Sequence, residues 1–160
     1  MRRRLAASLI ALILALAVAA CGEKDESAAT STTTTSLTKE QFLREANKIC
    51  KQSDDKIERA SKQFFADAPQ NKEPPPSEIA KFGKQTVFPT VQDEIDRIRS
   101  LGAPAGDEAQ VNAILDATQE GLDKLKQDPE QLAKGGTASA FEQAKKLAGD
   151  YGLNECANGG

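Results

Sequence analysis

The chain has 160 residues, a formal charge of −3, one Tyr, no Trp and no His. Without its first twenty residues it keeps 18 basic and 24 acidic side chains, a formal charge of −6. That balance argues against a nucleic-acid grip, which needs a basic patch to displace counterions, and against charge-driven binding to an anionic membrane surface. Without His, Ser-His-Asp and Cys-His mechanisms are excluded. A nucleophile–base pair would have to be built from acids or Lys, so no enzyme is expected.

The first element in chain order is an export signal. Arg2, Arg3 and Arg4 precede an uncharged apolar run, Leu5 to Cys21, of 17 residues. Positive charge, apolar run and small residues in that order are the pattern of a secretory signal peptide over residues 1–20. Its end, Val18-Ala19-Ala20-Cys21, resembles a bacterial lipobox. The resemblance implies that the Cys21 thiol receives a diacylglycerol and becomes the mature N-terminus. It also implies a protein held on the extracytoplasmic face of the cell membrane. Each buried lipid CH2 adds about 0.8 kcal/mol of membrane affinity, so two chains anchor where one does not. An uncleaved membrane helix and a cleaved signal with a free Cys are the alternatives.

Residues 21–36 form a flexible tether. Its Thr30–Ser36 stretch, TSTTTTS, offers no apolar group that could offset the entropy of ordering. The helical domain then spans residues 37–160. Thr38 and Gln41 form a capping box that opens a first helix, with Leu37 and Phe42 as its hydrophobic staple. Its apolar or small stripe is Phe42, Ala46, Ile49, Ser53, Ile57, Ala60 and Phe64. Pro69 stops it near Ala68. After the stiff Pro74-Pro75-Pro76, Ser77 is expected to cap a second helix carrying Ile79, Phe82, Val87 or Phe88, Val91, Ile95, Ile98 and Leu101 inward. Pro89 lies inside this pattern and cannot donate to the carbonyl four residues back, so the helix must kink or restart there. Gly102 and Pro104 end it.

Asp107 with Gln110 is expected to cap a third helix buried through Val111, Ile114, Leu115, Thr118, Leu122 and Leu125. A short helix follows Pro129 and ends at Gly135-Gly136. Thr137 opens a fourth helix that buries Phe141, Ala144, Leu147, Ala148 and Tyr151, and Gly152 supplies a left-handed stop. No period-two run is long enough for a strand. The expectation is an all-α, four-helix bundle-like domain with a Pro-kinked second helix.

With Cys21 assigned to lipid, Cys50 and Cys156 remain as an even pair in an exported domain, which points to a structural disulfide. The alternative, a reactive redox pair, lacks the C-x-x-C spacing and a basic neighbourhood. Metal binding by two thiolates without His is weaker still, so no metal and no cofactor is expected. Ile49-Cys50 in a first helix, Pro104-Ala105-Gly106-Asp107-Glu108 before the third and the terminal Tyr151-Gly152-Leu153-Asn154-Glu155-Cys156 resemble small uncharacterised Ala-rich exported helical proteins of actinobacteria. That resemblance implies a helical domain with paired cysteines and no particular activity.

The acidic clusters Asp54-Asp55 and Asp93-Glu94-Asp96 do not match a calcium loop. Both are expected to be solvated helix faces, the second ion-paired with Arg97 and Arg99 beside it. Paired carboxylates can do glycosidase chemistry, but any acidic helical protein offers such pairs. The remaining functional candidate is Pro89, whose kink could open an apolar cleft lined by Phe82, Phe88 and Val91. The alternative is a bend around a solid core. Two function classes follow: a membrane-tethered binding or interaction module of the cell envelope, and a small-ligand or lipid carrier using that cleft. The partners expected are the membrane, through the lipid anchor, and an envelope protein or a small apolar ligand.

Overall fold

In a computed structural model, residues 36–66 and 73–159 are described. Cys21, the signal peptide and most of the tether lie outside them. The described residues are all-α, with no strand among them. The elements are α1 (Lys39–Ala66), α2 (Pro76–Phe82), a π turn (Gly83–Val87), α3 (Phe88–Ser100), α4 (Glu108–Gln127), a 3-10 turn (Pro129–Lys134), α5 (Gly136–Ala140), α6 (Glu142–Tyr151) and α7 (Asn154–Asn158). None of the described helices is long and apolar enough to cross a membrane.

The helix starts and stops show which local signals the chain uses. At α1 the capping box forms as expected. The Thr38 amide donates to Gln41 Oε1 at 2.9 Å, and the Gln41 amide to Thr38 Oγ1 at 3.3 Å. Two expected caps do not form. Helix α2 starts two residues earlier than a Ser77 cap implies, because Pro76 takes the first helical position, where a missing N–H costs nothing, and Pro75 becomes the boundary residue. Asp107 precedes α4 but makes no side-chain cap. Its carboxylate is engaged elsewhere: it accepts from the Tyr151 hydroxyl at 2.8 Å and pairs with Lys39 Nζ at 3.2 Å. That contact joins the start of α1, the start of α4 and the end of α6. The Tyr151 hydroxyl and then Lys39 hold the Asp107 carboxyl below its ordinary range, and burial followed by the same contact pushes the Tyr151 phenol up.

Helix α1 packs on α3, α3 on α4, α4 on α6, α6 on α7, and α7 back on α1. The chain therefore closes into a ring, with Phe42, Ile95, Leu122, Leu125 and Leu153 fully buried inside. The expected fourth helix is broken at Phe141 into α5 and α6. The break lets the Phe141 ring and the Ala140 carbonyl press on α4 at Gly121, which has no side chain to keep them off. After α6, Gly152 takes a left-handed φ of 104°. The Leu153 amide then donates to the Ala148 carbonyl at 2.8 Å, a Schellman closure.

The tail beyond Leu153 forms the extra helical turn α7. Cys156 on α7 meets Cys50 on α1 at bonding distance, 2.03 Å between sulfurs and 5.0 Å between Cα atoms. Asn47, one turn before Cys50, holds the same segment with both ends of its amide. Its Nδ2 donates to the Gly152 carbonyl at 3.3 Å, and its Oδ1 accepts from the Glu155 amide at 2.8 Å.

Two stability outcomes follow. The bridge spans 106 residues, and a loop of that size stabilises by on the order of 4–5 kcal/mol in the chain-entropy model. Cys50→Ser with Cys156→Ser is expected to lower the melting temperature by roughly 10 °C or more. An unchanged non-reducing melt would show that the bridge contributes nothing. Replacing a helix-interior Gly by Ala ordinarily stabilises by about 0.8–1 kcal/mol, but a Cβ at Gly121 would lie 2.5 Å from the Ala140 carbonyl oxygen and 2.6 Å from the Phe141 ring. Gly121→Ala is therefore expected to destabilise, by about 1–3 kcal/mol in denaturant titration.

Candidate functional site

The buried faces of α1, α3 and α4 do not close completely on one another, and the gap between them is a cavity. Helix α1 contributes Cys50, Asp54, Ile57, Ser61 and Phe65, at steps of three and four residues. Helices α2 and α3 add Ile79, Phe82, Val91, Glu94 and Ile95, and α4 adds Val111, Ile114, Leu115 and Thr118. The cavity has a volume of about 290 Å³, near the lower end of small-molecule sites.

Of the four residues proposed for a cleft near Pro89, two line this cavity and two do not. Phe82 and Val91 do. Phe88 is buried in the core beside it, and Pro89 is exposed on the outer surface. The physical reason is the π turn. The Phe88 amide bonds to the Gly83 carbonyl five residues back, so the helix widens by one residue just before the proline. Along the lining, the step from Phe82 to Val87 is five residues instead of three or four. An ordinary helix would have carried Phe82's face on to Thr86, Pro89 and Asp93. The extra residue moves the lining on to Val87, with Val91 and Glu94 following at steps of four and three residues.

The cavity has two chemically different ends. At one end are aromatics: Phe64 stacks on Phe82 at 4.9 Å and meets Phe65 edge to face at 5.2 Å. Among the described residues Phe65 is the large hydrophobic side chain that stays exposed, at 51%. At the other end Glu94 and Asp54 face one another across α3 and α1, next to the Cys50–Cys156 bridge. Eleven residues separate Asp54 from Phe65 on α1, which at about 1.5 Å per residue places the ends about 16 Å apart along the axis.

Burial among apolar side chains pushes the Glu94 carboxyl up to about 7, with the Ser53 hydroxyl opposing and the Asp54 charge adding to the shift. Burial also raises Asp54, with Lys145 across the cavity opposing and Asp55 adding. The expectation of a solvated acidic face therefore holds for only part of each cluster. Asp93 and Asp96 pair on the surface with Arg97 at 3.7 Å and Arg99 at 3.4 Å, and Asp55 pairs with Lys51 at 3.0 Å. Glu94 and Asp54 turn inward instead. Glu94 sits three residues after Val91 and four before Ile98, and Asp54 four after Cys50 and three before Ile57. That phase is the signal that would have found them.

No protein-family model, curated protein or solved structure matches the chain. Among the described residues no group of three or more Cys, Asp or Glu side chains is placed to hold a metal ion. A second, shallower surface hollow of about 350 Å³ between α4, α5 and α6 is bordered by Glu120, Lys124, Glu142 and Lys146, with only Ala117 and Ala140 as apolar lining. The site is therefore the elongated cavity, apolar along its walls and acidic at one end.

The raised Glu94 carboxyl has a consequence for stability. It titrates at about 7 in the folded chain and near 4.5 when unfolded, so the native state binds this proton more tightly. Its contribution is fully present below about pH 4.5 and is lost as pH rises through 7. Glu94→Gln removes that loss. The variant is expected to melt a few degrees above wild type at pH 8 and to match it at pH 4.5. A melting difference independent of pH would show that Glu94 is not desolvated.

Proposed function

We infer that the chain is a cell-envelope lipoprotein whose helical domain binds a small apolar ligand. Met1–Ala20 serves as the signal peptide, acylated Cys21 as the membrane anchor, and residues 21–36 as a tether on the extracytoplasmic face. The sequence pattern at the N-terminus supports the anchor: a positive start, an apolar run and the lipobox-like Val18-Ala19-Ala20-Cys21. The observation that carries the binding role is the cavity of about 290 Å³ between α1, α3 and α4.

That observation favours a ligand carrier over a protein-docking module. A docking surface needs an exposed apolar patch of several hundred Å². Among the described residues, Phe65 is the large hydrophobic side chain left exposed, and it stands at the cavity rather than on an open face. Asp54 and Glu94 together also form the kind of carboxyl pair that acid–base hydrolysis uses. Their surroundings support binding better. A hydrolytic cleft brings water and hydrogen-bond donors to its substrate, whereas most of the wall here is Ile, Val, Leu and Phe.

The test is intact and native mass spectrometry of the full chain extracted from envelopes. The expected spectrum carries a diacylglyceryl-sized addition at Cys21 and a separable small apolar ligand. Cys21→Ala is expected to move the protein from the membrane to the soluble fraction. Val91→Phe, which puts a ring into the cavity one turn from Glu94, is expected to abolish the ligand mass while leaving the far-ultraviolet helical signal intact. A wild-type protein that carries no ligand and takes up no octanol would remove the binding role. A Cys21→Ala protein still in the membrane would remove the anchor.

A further inference from the structure

The cavity is polarised in a way that selects among apolar ligands, and this inference rests on its being a ligand site. We propose that its ligand is a linear amphiphile with a protonated amine, the ammonium seated between Glu94 and Asp54 and the tail lying toward Phe65 and Phe82.

Shape supports a linear molecule. The cavity follows one stripe of α1 from Cys50 to Phe65, and that stripe is apolar between Asp54 and the aromatic end except for Ser61. At roughly 30 Å³ per water-sized group, its 290 Å³ holds about ten heavy atoms, the size of an eight-carbon chain with a head group.

Charge supports the cation. Glu94 is faced by Ser53 and Asp54 from α1, and by Asp93 and Arg97 from its own helix. Helix α4 presents Val111, Ile114, Leu115 and Thr118 to the cavity, none of them titratable. Around Asp54 stand Lys145 of α6, Glu155 of α7, and Asp55 and Lys51 of α1. Asp55 and Lys51 are paired with each other, and Asp93 with Arg97. Within the lining itself are two carboxyls and one cation, Lys145. When Glu94 is ionised, one negative charge is left in a low-dielectric wall, where an opposite charge is attracted more strongly than in water. A carboxylate head would meet that charge unfavourably, and a neutral alcohol would leave it uncompensated.

The experiment uses the full chain and three probes of equal chain length, octylammonium, octanol and octanoate, titrated calorimetrically at pH 5.5 and pH 8. Octylammonium is expected to bind tightest at pH 8, where Glu94 is ionised, and to weaken at pH 5.5 as Glu94 takes up its proton. Glu94→Gln is expected to weaken octylammonium roughly tenfold at pH 8, the value of one charge-assisted hydrogen bond, and to leave octanol unchanged. Asp54→Asn is expected to act in the same direction with a smaller effect, since Lys145 already opposes that charge. Octanol binding as tightly as octylammonium at both pH values would overturn the ammonium head while sparing the cavity. Octanoate binding tightest would overturn it in favour of Lys145 as the head-group partner. Failure of all three probes to bind would overturn the cavity itself as a ligand site.

Discussion

The structure depends on the return of its last residues to its first helix. Helix α6 packs on α4 and on α7, and α7 carries the contact back to α1. Three interactions of different kinds converge on that seam: the Cys50–Cys156 bridge, the two-ended grip of Asn47 on Gly152 and Glu155, and the burial of Leu153 to 1% exposure. They are complementary. The bridge narrows the unfolded ensemble, the Asn47 amide satisfies backbone groups that a chain reversal would leave unpaired, and Leu153 supplies apolar burial. Leu153, Cys156 and Gly159 all border the cavity. The same closure that stabilises the ring therefore forms the wall of the site beside its acidic end.

A cavity with two carboxyls in its wall is not what stability alone would select. Each ionised acid loses hydration there, and the empty volume forfeits packing contacts. The rest of the molecule follows the opposite rule. Buried polar groups elsewhere find hydrogen-bond partners, as when the Thr90 hydroxyl donates to the Thr86 carbonyl at 2.7 Å and the Tyr151 hydroxyl to Asp107 at 2.8 Å. Among the described residues no buried side-chain polar atom is left without a partner. Ion pairs such as Lys62–Glu58, Lys124–Glu120 and Lys146–Asp150 stay on exposed helix faces. Among the described residues the cavity is where carboxyls and unfilled apolar volume coincide, and local violations of consistency are the signature of a functional site.

Much of the fold was legible because it rests on local chemistry. The Thr38–Gln41 box, the stripe from Phe42 to Phe64, the α4 stripe through Val111, Leu115 and Leu122, and the Gly152 stop each depend on residues within one or two turns. What was missed depends on contacts far apart in sequence. Asp107 reads locally as a cap, yet a hydroxyl 44 residues away claims its carboxylate. The fourth helix reads as continuous, yet Phe141 breaks it to reach Gly121. Asn47 gives no local sign that it will cap a turn 108 residues later. In the acidic clusters the composition suggested solvent for every member, while the helical phase of Asp54 and Glu94 pointed inward. Phase is the better guide, because a helix cannot choose which of its faces a residue occupies.

Pro89 shows how a correct physical premise can lead to the wrong face. A proline within a helix does demand an accommodation of the missing N–H, and a widened turn is one way to make it. The sequence suggested a kink with Pro89 at its centre and the cleft around it. Instead the accommodation is made upstream, between Gly83 and Val87, by the π turn. Gly83 fits that position for a second reason: Leu132 of the 3-10 turn packs into the space a side chain would fill. One added residue advances every later position by one step around the helix. Pro89 and Asp93 then face outward, and Val91 and Glu94 face inward. The acidic end of the cavity, and with it the charge that would choose a ligand, is set by a register shift several residues earlier in the chain.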